Sequence, residues 1–350
     1  MAILRKLLLR ALSLVAVVLI VLVLVVVVLG ATGFSDRILS SVISEEMRAV
    51  RQQLAQTIRD PQELERALRE QRKELEAFYG LDKPWYVRLP QDVLRVLTLD
   101  LGEARTVATA RGSKRIQDII AERLPRTALL FTTALVIYFF IGVWLGTLLA
   151  TRPGSKLDRI LSYFAAISFA LPSWWTGILL ILVFYFYLGG LLPAGGMYST
   201  PPPEGGLARF LDLAYHAILP IITLILVATG PLMYVARTIT LNVAQEDHVT
   251  FARAKGVPEG LVRRRHILRV AAPPIVTGLI LGLVGSIAGS ITTEIVFRWP
   301  GMGQLYFQAV SGQPDESLIV ALTFMYTMLY ALARFVLEIL YLILDPRVRY

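Results

Sequence analysis

Six stretches of mostly apolar residues, each long enough to cross a lipid bilayer, dominate the chain, near residues 9–31, 126–150, 160–188, 215–240, 273–297 and 317–344. A helix needs about 20 such residues to span the roughly 30 Å hydrocarbon core, and hydrocarbon offers no partner to an unsatisfied peptide group. The expected fold is therefore all-α, a polytopic membrane protein with six transmembrane helices. Mean hydropathy of +0.62 at only 17% charged residues agrees with that class. The first stretch follows Arg5, Lys6 and Arg10 and is expected to be retained as a span. It is too long for a signal peptide, and "GATGFSD" offers no convincing small-x-small cleavage site.

Charge orients the spans. The N-terminal tail, the loop near 151–159, the loop 241–272 and the C-terminal tail together hold fourteen Lys and Arg against five Asp and Glu, whereas segment 34–122 holds fifteen of each sign. By the positive-inside rule both termini are expected in the cytoplasm of a multi-pass protein of the cell membrane. Three expected regions follow: residues 1–33, the tail and first span; residues 34–122, an external helical insertion; and residues 123–350, a five-helix core that includes loop 241–272. The formal charge of +9 matches basic loops facing anionic lipid, and no basic, aromatic domain stands clear of the spans to take nucleic acid.

Within the insertion Met47, Val50, Leu54 and Ile58 follow helical spacing. A second amphipathic helix should begin where Asp60 can cap, Pro61 fits the first turn and Glu63 holds the capping-box position, continuing through Leu64, Leu68 and Leu75. Such a pair could dock an external partner or fold over the membrane core as a scaffold, and its alternating charge marks a solvated surface.

No catalytic centre is visible. The chain has no cysteine, its three histidines (His216, His248, His266) are too scattered for a metal site, and no phosphate-binding loop or hydrolase motif occurs. Attention falls instead on residues 251–274, "FARAKGVPEGLVRRRHILRVAAPP". Buried at the membrane centre, its six cations would each cost about 2.5–3.5 kcal/mol, roughly 15–20 kcal/mol together, so the segment is expected in the cytoplasm. Ala252, Ala254 and Gly256 let another backbone approach, Gly256 can take a positive φ, and Pro258 should start a second short helix carrying Arg263, Arg264 and Arg265. Such a shape suits a groove in a partner protein or, alternatively, a surface of anionic headgroups.

In this segment the chain resembles the cytoplasmic ATPase-coupling loop of binding-protein-dependent ABC importer permeases, in the first-permease branch of the dipeptide, oligopeptide and nickel systems. The resemblance continues through "YGLDKPWYVR" (79–88), "DIIAERLPRT" (118–127), "GSKLDRI" (154–160), "LPSWWTGILL" (171–180), "LPAGG" (192–196), "HAILP" (216–220), "TEIVFRWPGMGQL" (293–305) and "LDPRVRY" (344–350). It covers roughly 79–350, with 34–78 matching loosely. It departs from the wider superfamily in lacking the acidic residue that opens the motif, with Thr250 near its place, and in "VAAPP", where the usual leucine before proline is replaced.

The resemblance implies a permease that pairs with a second, related permease. Two ATPase subunits holding ATP and magnesium would drive the pair, and an external binding protein would deliver oligopeptides, or alternatively oligosaccharides or nickel. It implies no enzyme activity, cofactor or metal on this chain, and it assigns ATPase coupling to Ala252, Arg253, Ala254, Lys255, Gly256 and Val257. Glu294, near the outer end of the fifth span, coincides with an acidic position of that family. A translocation-path or gate role and a structural pairing with Arg298 both fit it. Gly278, Gly282, Gly285 and Gly289 form a close-approach face for the partner permease, the path or packing within this chain. Arg334 and Glu338, one turn apart, should satisfy each other, and Trp174, Trp175 and Trp299 read as interface anchors and packing residues. From other classes, a secondary transporter would favour two similar halves with ionisable residues inside the membrane, and a ligand-sensing membrane anchor would explain the insertion but not the ordered motifs.

Overall fold

The computed structural model of the chain describes residues 2–311 and 314–344; the expected C-terminal motif beyond Leu344 lies outside the described residues. The helices run α1 (Ala2–Ala31), α2 (Phe34–Thr57), α3 (Pro61–Phe78), α4 (Trp85–Leu97), α5 (Ile116–Ala150), α6 (Lys156–Ala170), α7 (Ser173–Ile181), α8 (Gly206–Ala244), α9 (Asp247–Ala254), α10 (Glu259–Leu261), α11 (Arg269–Ala288), α12 (Ile291–Val296), α13 (Met302–Val310) and α14 (Glu316–Leu344). Widened π-turns extend α7 over Leu182–Tyr187 and join α10 to α11 over Val262–Leu268. Among the described residues there is no strand, only a bridge between Glu103 and Arg115. Among the described residues five helices are long and apolar enough to cross a membrane, or six when the bent pair α6–α7 counts as one. The chain divides into two compact units, residues 2–120 with 306–336, and residues 121–305 with 337–344.

In the first unit α1 is apolar on every side and exposes Leu12, Ile20 and Leu24, as a helix solvated by lipid does. Gly33, at φ +65°, breaks it and starts α2. The caps of the insertion form as expected: the Asp60 carboxylate accepts from Gln62 N at 2.9 Å, and Pro61 opens α3. No residue of α3 is buried, so its charges are solvated. The Tyr79 hydroxyl, at the end of α3, donates to Glu46 of α2 at 2.5 Å, and this bond raises the phenol above its ordinary pKa. α4 packs on α1 through Trp85, which lies so close to Gly30 that a Cβ there would meet the indole at 2.6 Å. Buried Asp315 caps α14 by accepting from Leu318 N, and it also holds the loop after α4 by accepting from Arg105 N at 2.5 Å.

The second unit is built on α8, the longest helix. Gly146 brings α5 against it: a Cβ would fall 2.8 Å from Ala236 Cβ and 2.9 Å from Arg237 N. Gly230 does the same toward Ser168 and Ala165 of α6. Pro231 removes the N–H that would pair with Val227 O, and Ser168 Oγ donates to that carbonyl at 3.0 Å. A neighbouring helix thus restores a backbone bond that lipid could not.

Two expected spans differ from the sequence reading. The third turns by 100° between α6 and α7. Leu171 precedes Pro172, which disfavours its helical conformation, and it is extended at φ −84°, ψ 119°. The fifth breaks at Gly289, with φ +70°, and restarts as α12 under a Ser290 cap. Its other end reaches further than expected: no separate short helix follows Pro258, because α10, the π-turn and α11 form one helix from Glu259. Of the glycine face, Gly282 meets Leu135 and Gly289 meets Thr127, while Gly278 and Gly285 have no neighbouring atom within 4 Å.

Gly146→Ala is expected to lower the thermal midpoint of the detergent-purified chain by several degrees, because the added methyl meets backbone that cannot yield. Gly278→Ala, in open space on a helix, should leave it unchanged or raise it. Equal midpoints for the two variants would contradict the close α5–α8 contact.

Candidate coupling site and outer loop

Loop 241–272 folds into a short helix, a sharp turn and the start of the α10–α11 helix. α9 ends at Ala254, Lys255 is its cap, and Gly256 follows in the left-handed region at φ +75°. Gly256 N donates to Arg253 O at 2.9 Å and Val257 N to Ala252 O at 3.2 Å. These are the two bonds of a Schellman termination, which places a glycine where this one stands and packs the following apolar residue onto the last turn. Ala252 belongs to an apolar cluster against which Val257 packs. The spacing A-R-A-K-G-V is thus a helix stop with a physical reason for each small or apolar position.

The buried side of α9 is keyed into the unit. Val249 and Ala252 belong to a cluster with Phe139 of α5, Ala236 and Val243 of α8, Val262 and Ile267 of the π-turn, and Ala271 and Ile275 of α11. A fully buried valine contributes about 1.5–3 kcal/mol. Moving α9 alone would forfeit that burial, so α9 is held by its packing against α5, α8 and α11.

The other side stands free of this chain. Phe251, Arg253, Ala254, Lys255 and Gly256 are exposed, and no atom lies within 4 Å of a Cβ at Gly256. Arg253 donates to both oxygens of Glu259, at 3.2 and 2.8 Å, and clamps the turn. Lys255 Nζ lies 4.4 Å from the centre of the Phe251 ring. Arg263, Arg264 and Arg265 are exposed along the π-turn. The three histidines gather no metal site: among the described residues no group of three ligating side chains occurs. His216 pairs with Asp212 O, and His248 Nε2 lies 2.9 Å from His266 O.

A buried ion pair between helices was not foreseen from the sequence. Asp158, the third residue after the Ser155 cap of α6, is buried and receives Arg237 of α8 through both oxygens, at 2.6 and 2.8 Å, while Gly154 N donates to it at 2.9 Å. This bidentate pair ties α6 to α8 at the residue next to Ala236, a member of the cluster that holds α9. The signal was Arg237 itself, a lone cation inside the fourth apolar stretch, which calls for a carboxylate on a neighbouring helix.

Glu294, on α12, is fully buried. It accepts from Thr127 Oγ1 at 2.8 Å and Gln304 N at 2.9 Å, while Thr127 Oγ1 accepts from Met302 N at 2.7 Å. Arg298 is exposed at φ +48°, and in place of the expected pairing with it Glu294 bonds to the Thr127 hydroxyl and the Gln304 backbone. Gly301 is required there, since a Cβ would collide with Thr127 and Glu294. Trp299 is buried and donates to Arg126 O at 3.1 Å, so it packs the loop, whereas Trp174 and Trp175 are exposed as anchors would be. Arg334 is exposed and Glu338 half-buried on α14.

Residues 142–350 match the family described as "Binding-protein-dependent transport system inner membrane component". The oligopeptide transport system permease protein AppB of Bacillus subtilis (strain 168) is 33% identical over 272 residues, 78% of this chain and 83% of that protein. OppB of Haemophilus influenzae, also named an oligopeptide transport system permease protein, is 32% identical over 276 residues, 79% of this chain and 84% of that protein. Among solved structures, a chain of the MetNI methionine ABC transporter in an inward-facing conformation superposes with TM-score 0.51 at 18% identity, covering 65% of this chain and 97% of that one, a likeness of fold. With the family matched over more than half its length, the chain belongs to the inner-membrane components of binding-protein-dependent transport systems, the permeases of ABC importers.

Proposed function

We propose that this permease forms half of a translocation path with a second, related permease and is driven through α9 by two separate ATPase subunits that bind ATP and magnesium. An external binding protein supplies the solute, and the names of the relatives make oligopeptides the solute class. The termini and loop 241–272 lie in the cytoplasm and residues 34–122 outside, which follows from the charge bias of the loops. The observation that carries this reading is the two-sidedness of α9: one face is locked into α5, α8 and α11, and the Schellman turn presents the other to a partner.

In this scheme the chain transmits work and performs no chemistry. Closure of the ATPases on ATP displaces the tip formed by Ala252, Arg253, Ala254, Lys255, Gly256 and Val257. Val249 and Ala252 pass the displacement to α8, and the continuous helix from Glu259 passes it to α11. The Asp158–Arg237 pair makes α6 follow α8. Glu294 acts by holding loop 298–304 in shape, and Arg298, exposed on that loop, faces the path or its outer mouth.

Gly256→Arg is expected to insert normally yet lose transport. The new side chain fills the space left for the partner, and a non-glycine residue in the left-handed region costs roughly 1–2 kcal/mol. The measurement is uptake of a labelled peptide mixture by right-side-out membrane vesicles loaded with ATP, beside ATP hydrolysis by the same membranes. Hydrolysis without uptake supports coupling at this tip, and uptake at the wild-type rate would sink it.

Glu294→Ala should act on stability. Each buried donor left without its acceptor costs about 1–3 kcal/mol, so the variant melts earlier while the order in which unlabelled peptides compete for uptake stays the same. A changed order at wild-type stability would make the carboxylate a substrate contact instead.

A further inference from the structure

We propose that the cavity at the far end of the first span is a binding site for an aminophospholipid headgroup, whose phosphate is held by Arg88 and Arg105. The cavity, about 1220 Å³, lies wholly within the first unit, where the end of α1 meets α2, α4 and the start of α14. Val26, Ile38, Leu39 and Val320 form its apolar part.

Two guanidinium groups in its wall have unused donors. Arg88 gives one terminal nitrogen to Asp36, yet its Nε is buried with no acceptor. Arg105 is fixed by its backbone bond to Asp315 and by the Tyr79 ring, 5.8 Å from its Cζ, yet its Nη1 is buried with no acceptor. The two converge on consecutive residues: Arg105 lies over Tyr79, and Arg88 Cδ is 3.2 Å from the place of a Cβ on Gly80. A buried donor on a charged group is costly to leave unmade, and two guanidinium forks around one space match the oxygens of a phosphate.

The surroundings choose among oxyanions. Trp85 packs on Gly30 at the end of the lipid-crossing stretch Leu7–Ala31, which puts the cavity at headgroup depth. Beside it α1 exposes Leu24 and Val28, and α4 exposes Tyr86, Leu94 and Leu97, an apolar surface for acyl chains. Glu45 and Glu103 also line the cavity; carboxylates oppose a purely anionic headgroup and suit one that carries an ammonium beside its phosphate. The inference uses only the first unit and stands whether or not the coupling reading holds.

The test is native mass spectrometry of the full chain, purified in mild detergent with whatever subunits accompany it, washed free of loose lipid and titrated with dioleoyl phosphatidylethanolamine or dioleoyl phosphatidylglycerol. Arg88→Lys keeps the ion pair with Asp36 but lacks the guanidinium Nε, and Arg105→Gln keeps the backbone bond to Asp315, so both variants should fold. The wild type is expected to retain one phosphatidylethanolamine in preference to phosphatidylglycerol. Each variant should bind it about tenfold more weakly, the loss expected for a charge-assisted hydrogen bond. Equal retention by wild type and both variants would show lipid held by the general apolar surface and overturn the proposal. Displacement of the bound lipid by millimolar alanyl-alanine would overturn it in favour of a soluble peptide site.

Discussion

The packing of α5, α6, α9 and α11 onto α8 is the constraint on which the transport reading depends. Helices in lipid gain nothing from hiding apolar surface from one another, so they are held by close approach and by polar contacts. Both devices are present along one helix. Gly146 and Gly230 remove the side chains that would keep α5 and α6 away, Ser168 satisfies the carbonyl released by Pro231, and Arg237 receives Asp158. Val243 lies a few residues further along the same helix and belongs to the cluster that captures α9. The turn at Gly256 is thereby packed, through α9, onto the same helix that holds α5 and α6.

Much of this was legible in the amino-acid sequence, because the strongest signals are those in which one residue type has one physical use. Long apolar stretches have to be spans, a glycine after A-R-A-K has to be a helix stop, and Asp60-Pro61 has to be a helix start. The parts that could not be read depend on pairs of residues far apart in the chain. Nothing local says that Asp158 meets Arg237, or that Glu294 turns to the backbone at Gln304 and not to Arg298 four residues away. The glycines of α11 show the same limit: identical residues at regular spacing, of which Gly282 touches a neighbour and Gly278 does not. The bend at Leu171 and the break at Gly289 stood in plain view as Leu-Pro and Gly-Ser. Apolar content outweighed them there, since a hydropathy window does not register geometry.

The two units differ in how they use charge. The turn after α9 places its cations on an exposed surface, where Arg253 and Lys255 are braced by Glu259 and Phe251 and so present a shaped, basic tip. The first unit instead turns Arg88 and Arg105 inward, each held at one point and unsatisfied at another. These two buried donors without acceptors are the observation on which the lipid proposal rests.

The measurement closest to the central claim exploits the absence of native cysteine. A single cysteine at Ala254, exposed on the tip of α9, would be joined by a short thiol-reactive cross-linker to whatever lies against it in native membranes, and the product identified by mass spectrometry. The account predicts a cross-link to a subunit carrying a phosphate-binding G-x-x-x-x-G-K-[ST] loop, in a complex that also contains a second permease. A chain that cross-links to no such subunit, while its membranes still transport, would contradict it.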